Sequence, residues 1–136
     1  MDAEVALLKA LAETTRLRLA VLLALNGETC VCELAAALEV PDFQVSRHLG
    51  IMKSRGLVEA RRQGTWMHYR LAKPRGTLEE CLQACFHDCL SEHPSVVADL
   101  RRLRAYRQHT EGCCPAKTAR TSRSGTRSQP RKSRCK

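Results

Sequence analysis

Glu39-Val40-Pro41-Asp42 and the run after it, Phe43-Gln44-Val45-Ser46-Arg47-His48-Leu49-Gly50-Ile51-Met52-Lys53-Ser54, decide the fold. The first four residues read as a tight turn, with Asp42 as a helix cap. The run reads as a helix to Ser54 that turns Val45, Leu49 and Met52 inward and Gln44, Ser46, Arg47 and Lys53 outward; Arg55-Gly56 ends it. Before the turn, a short helix from about Cys32 to Leu38 points Leu34, Ala35 and Leu38 inward. After it the period drops to two. Leu57–Arg62 and Thr65–Leu71 flank Gln63-Gly64, the pattern of a β-hairpin with a two-residue link. Trp66, His68 and Arg70 share one face of that hairpin, and Met67, Tyr69 and Leu71 the other. Two helices at a tight turn, then a basic hairpin, spell a winged helix-turn-helix.

Further out, helices are expected over Ala3–Ala12, from a cap at Thr14 or Thr15 to Asn26-Gly27, over Thr77–Ser91, and over Ser95–Gln108 beyond Pro94. The fold class is mainly α with a small β-hairpin, dimeric, in a domain spanning residues 1–109. Residues 110–136 form a Cys-containing basic tail with too few hydrophobes to fold, expected to be disordered.

Charge supports this division. The chain of 136 residues carries 23 Lys and Arg against 14 Asp and Glu, a formal +9. Eight of those cations lie between Lys117 and Lys136 with no acid among them, so the rest nets +1. Within that rest, Phe43–Lys73 holds seven basic residues and one acid, Glu59. Cations are thus concentrated where DNA would lie. Five aromatics in 136 residues give an aliphatic core, which excludes a β-sandwich, and the length excludes a large enzyme. The longest charge-free apolar run, Leu19–Leu25, is far short of the roughly 20 residues that span a bilayer. With an acidic Met1-Asp2-Ala3-Glu4 start, the expectation is a cytoplasmic protein with no membrane partner and with reduced thiols suited to soft ions.

The matching stretches Leu8-Lys9-Ala10-Leu11-Ala12, Thr15-Arg16-Leu17-Arg18, Cys30-Val31-Cys32-Glu33-Leu34, Val45-Ser46-Arg47-His48-Leu49, Gly56-Leu57-Val58, Arg61-Arg62-Gln63-Gly64 and Tyr69-Arg70-Leu71 occur in unbroken order. On these residues the chain resembles the ArsR/SmtB family of metalloregulatory repressors over roughly residues 5–108. The Cys-Val-Cys-Glu-Leu stretch resembles its arsenical-responsive branch. That resemblance implies a homodimeric repressor that binds an inverted-repeat operator in double-stranded DNA. Trivalent arsenic or antimony would act as inducer, with no organic cofactor. Two departures stand out: Thr14 replaces the family's usual Pro, and Ala35 occupies the position of the branch's third cysteine.

Cys30 and Cys32 are therefore the expected metal ligands, since trivalent arsenic favours two or three thiolates. In a regular helix residues i and i+2 point about 200° apart, so both would grip one ion only if the first turn of the third helix unwound. The missing third ligand is assigned to Cys113 or Cys114, a vicinal pair after Gly112. Cys81, Cys85 and Cys89 recur at i, i+4 and i+8, which reads either as dimer packing or as a second soft-metal site. DNA binding is assigned to Gln44, Ser46, Arg47, His48, Lys53, Arg61 and Arg62. The alternative is a repressor of the same fold that senses redox state through a disulfide of Cys30 and Cys32 or of the tail pair Cys113 and Cys114, or one that responds to cadmium or lead through Cys81, Cys85 and Cys89. Cys114–Thr121 fits the C-x5-R-[ST] phosphate loop of small phosphatases, but it lacks the glycines such a loop needs, so no catalytic residue and no enzyme is expected.

Overall fold

A computed structural model describes residues 1–110. Its elements are α1 (Asp2–Leu11), α2 (Thr14–Asn26), β1 (Thr29–Cys30), α3 (Val31–Leu38), α4 (Asp42–Ser54), β2 (Val58–Gln63), β3 (Trp66–Leu71), α5 (Thr77–Asp88) and α6 (Pro94–His109). The winged helix-turn-helix is present: α3 and α4 meet at the turn, and β2 and β3 form the wing.

The core gathers on α2, whose Leu19, Ala20 and Leu22 have no exposed surface. Leu34, Val45, Leu49 and Met52 pack against it from the two helices of the motif, and Phe86, Val96 and Leu103 from α5 and α6. Each fully buried leucine contributes about 2 kcal/mol. The inward faces of α3 and α4 are those the 3.6-residue period indicates. α2 begins one residue earlier than a threonine cap would place it, because the Glu13 carboxylate accepts the Arg16 N–H at 2.9 Å and caps the helix itself.

Two local features set the angle of the motif. Glu39 ends α3 in the left-handed region, φ 58°, with its N–H donating to the Ala35 carbonyl. Gly56, φ 79°, turns the chain out of α4 into the wing. The hairpin pairs Gln63 with Trp66, so its two linking residues are Gly64 and Thr65 rather than Gln63 and Gly64.

One element lies outside the expected hairpin. Thr29 and Cys30 pair antiparallel with Tyr69 and His68, making a three-stranded sheet of order β1-β3-β2. Two residues give no period, and the sequence offers no other sign of this strand. Among the described residues no helix is long and apolar enough to cross a membrane.

Candidate nucleic-acid interface and thiol site

α4 presents one face to solvent. Phe43, Ser46, Arg47, Gly50 and Lys53 are exposed, while Val45, Leu49 and Met52 are buried. Gln44 is half-buried at the edge of that face. His48, expected to contact DNA, is turned inward and only 8% exposed. Its Nδ1 lies 3.2 Å from the Arg16 Nη1, and Arg16 Nε donates to the Ala10 carbonyl at 2.6 Å. Burial pushes the His48 pKa down despite the nearby Glu13 carboxylate, with Arg16 and Arg47 acting in the same direction as burial. The neutral ring can then accept from Arg16, and the pair fastens α4 to α2. His48 thus lies at the inner edge of α4, beside Val45 and Leu49, and not on the solvent-facing side with Arg47.

The cations of the wing divide into two kinds. Arg61 is held by Glu28, with Nε at 2.9 Å from Oε2, and Arg70 by Glu59 at 2.8 Å. Arg62, Arg47 and Lys53 are exposed and make no ion pair among the described residues. An unpaired exposed guanidinium or ammonium is available to a phosphate without first losing a partner.

The thiol pair lies behind α4, at the start of α3. Cys30 is the N-cap, with extended backbone (φ −90°, ψ 163°), and Cys32 is in the first turn. Their sulfurs are in contact at 3.0 Å, with the residues 1% and 6% exposed. The separation expected of two residues in one continuous helix does not apply. Cys30 precedes the helix, so the sulfurs converge with the first turn of α3 intact. The positive end of the α3 dipole faces them.

Three further groups enclose this pair. Glu33, 4% exposed, accepts the Cys30 N–H at 3.3 Å and is gripped by Arg107 of α6. Tyr106 packs against both cysteines. His68 lies directly across from Cys30 on β3, and Arg61 directly across from His68 on β2, so the three share one face of the sheet. His68 is 2% exposed, and its Nε2 has no hydrogen-bond partner among the described residues. Burial pushes its pKa down, reinforced by Arg61 and opposed by Glu28 and Glu33. Neither His68 nor Arg107 stands out in the sequence. The period-two pattern gives His68 a face, but β1, the strand that pairs beside it and brings Cys30 onto that face, carries no signal.

The other cysteines are arranged differently. Cys81 and Cys89 are exposed on or just beyond α5, with Cys85 half-buried between them, and none of the three is in a disulfide. Cys89 raises the pKa of the Cys85 thiol, which disfavours the thiolate that binds metals. No group of three or more His, Cys, Asp or Glu among the described residues is assembled to hold a metal. Cys113, Cys114 and the phosphatase-like Cys114–Thr121 run lie outside the described residues.

Residues 13–60 match the family described as "Bacterial regulatory protein, arsR family". The chain is 47% identical over 66 residues to an arsenical resistance operon repressor of Escherichia coli K12, covering 48% of this chain and 56% of that protein. It is 38% identical over 63 residues to a cadmium resistance transcriptional regulatory protein CadC homolog of Staphylococcus aureus, covering 46% and 52%. The matched stretch thus spans about half the length of these curated relatives. Among solved structures it resembles the homodimeric winged helix-turn-helix DNA-binding domain of a possible ArsR-family regulator from Mycobacterium bovis. That likeness has a TM-score of 0.54 and 38% identity, over 68% of this chain and 85% of that domain. With the fold, the order of motifs and this coverage in agreement, the chain belongs to the arsR family of bacterial regulatory proteins.

Proposed function

We propose that the protein is a transcriptional repressor that binds an inverted-repeat operator as a homodimer and is released when trivalent arsenic or antimony binds Cys30 and Cys32. The observation that carries this reading is the buried contact of the two sulfurs, 3.0 Å apart, at the start of the helix that supports α4. Arsenous acid exchanges two hydroxides for two thiolates, and each thiol proton leaves in a water molecule. The sulfurs already converge as that product requires, and sulfur is the ligand class that trivalent arsenic prefers. The inserted ion replaces the direct sulfur contact and changes the spacing of β1 and α3. Repression is lost to the extent that the ion binds the altered spacing more tightly than the DNA-competent one.

Several features support the rest of the reading. The half-exposed Val5 and Leu8 on α1 offer apolar surface to a second copy. In a two-fold dimer, paired α4 helices would enter successive major grooves. Ser46 and Arg47, with Gln44 at the rim, would read bases, and Arg62, Lys53 and Arg61 would hold phosphates. Cys113 or Cys114 would complete a three-sulfur set, and the α5 cysteines would either pack at the dimer interface or hold a second soft ion.

The test is arsenite-driven release of the full-length protein from operator DNA. Cys30→Ser and Cys32→Ser should each bind DNA as the parent does and fail to release. Normal induction of both variants would refute the site.

The sulfur contact also favours a second reading, in which peroxide oxidises the same two thiols to a disulfide, releasing two water molecules, and thereby relieves repression. Release by peroxide in the absence of arsenite would select it.

A further inference from the structure

Phe43 is the second residue of α4 and is 70% exposed. The other four aromatic side chains, Trp66, Tyr69, Phe86 and Tyr106, are buried or partly buried. Nothing in the fold explains why a phenyl ring is left in water at this position. Burying it would be worth more than burying a leucine.

Its place on the helix is specific. Phe43, Arg47, Gly50 and Ser54 stand at i, i+4, i+7 and i+11, the midline of the solvent-facing side of α4. Ser46 and Lys53 border that line. Gly50 sits mid-helix and exposed, and a Cβ added there would meet nothing within 4 Å. A glycine costs an exposed helix about 0.5–1 kcal/mol relative to alanine. Its absent side chain lets another surface approach the helix axis closely. The midline therefore combines an apolar ring, a cation and a place of close approach.

The partner that matches has a high density of negative charge and apolar groups projecting from it. The DNA major groove meets both requirements, because phosphates line it and each thymine projects a C5-methyl into it. We infer that Phe43 is a specificity-determining residue that packs on thymine C5-methyl groups in each half-site, beside the base edge read by Arg47. This rests on the DNA-binding reading above and adds to it an apolar interaction with neither hydrogen bond nor charge.

The experiment uses the full chain and duplexes it enriches from a random-sequence pool. Each thymine of an enriched duplex is replaced in turn by deoxyuridine, which removes the methyl and keeps the base pair. At one or two positions in each half-site, uracil should weaken binding about fourfold, the factor expected for burial of one methyl. Phe43→Ala should weaken binding to the thymine duplex and bind the uracil duplex equally well, while Arg47→Ala should keep the thymine preference. Because Phe43 is exposed, the alanine variant should retain its helical circular dichroism and its thermal midpoint. If no duplex is enriched, the DNA-binding reading itself fails. If duplexes are enriched but the parent ignores uracil, or Phe43→Ala still prefers thymine, the inference about Phe43 is overturned and the DNA reading stands.

Discussion

Arg107 and Glu33, 74 residues apart, join α6 to the first turn of α3. Arg107 Nε donates to Glu33 Oε2 at 2.9 Å and Nη2 to Oε1 at 3.3 Å. The carboxylate oxygen Oε1 also accepts the Cys30 N–H. A single buried carboxylate thus connects the thiol pair to the last helix of the domain.

Removing the guanidinium should be felt in stability. Arg107→Ala gives up charge-assisted hydrogen bonds to a side chain that is 5% exposed and should cost about 2 kcal/mol. Arg107→Lys should recover only part of this, since an ammonium cannot reproduce the fork. Urea unfolding of the three proteins decides. Equal midpoints would show that the ion pair adds nothing to stability.

Stability should depend on pH through two histidines. The folded state lowers the pKa values of His68 and His48 below the ordinary 6.5. An unfolded chain takes up these protons near pH 6.5, while the folded chain resists them. Their contribution is therefore complete above about pH 6.5 and is lost as the pH falls below it. His68→Gln should flatten the stability curve below about pH 6.5 relative to the parent. An unchanged slope in that window would contradict the burial argument.

The wing arginines should respond unequally to mutation. Arg62→Ala should reduce the slope of log affinity against log salt by about 0.9 for each phosphate that Arg62 neutralises. Arg61→Ala should reduce it less, because Glu28 already neutralises Arg61. Glu28→Gln frees that guanidinium and should steepen the slope. A larger effect for Arg61 than for Arg62 would reverse the assignment.

The turn of the motif holds a non-glycine residue in a left-handed conformation, Glu39 at φ 58°. Glu39→Gly should stabilise the domain by about 1 kcal/mol, since only the β-carbon makes this conformation costly. The ion pair of Glu39 with Arg102 is 4.0 Å long and the Glu39 side chain is 70% exposed, so removing the pair offsets little. A thermal midpoint that falls on substitution would show that the side chain has a partner role.

The motif is legible in the sequence because its signals repeat. The apolar period of α4, the turn at Pro41 and the alternation of β3 each span several residues, and they agree with one another. The thiol pair is legible by residue type and spacing, but its geometry is not. Whether Cys30 belongs to α3 or precedes it depends on β1, a strand two residues long. His48 escapes a local reading for a related reason. Position 48 borders the inner stripe of α4, and only the reach of Arg16 from α2 settles which way the ring turns. Pairs of side chains distant in sequence, such as Arg107 with Glu33, leave no local pattern.

The short strand β1 has a mechanical consequence. Cys30, His68 and Arg61 stand abreast on three strands joined by two hydrogen-bonded ladders that share β3. The backbone that carries the first sulfur cannot shift along the sheet and leave the wing where it was, unless a ladder breaks. A strain introduced at Cys30 is therefore delivered to two places at once: forward along the chain into α3 and α4, and sideways through β3 into the middle of the hairpin. The placement of the wing is therefore tied to that of the helix-turn-helix through the residue that begins α3, and neither can be displaced there independently of the other.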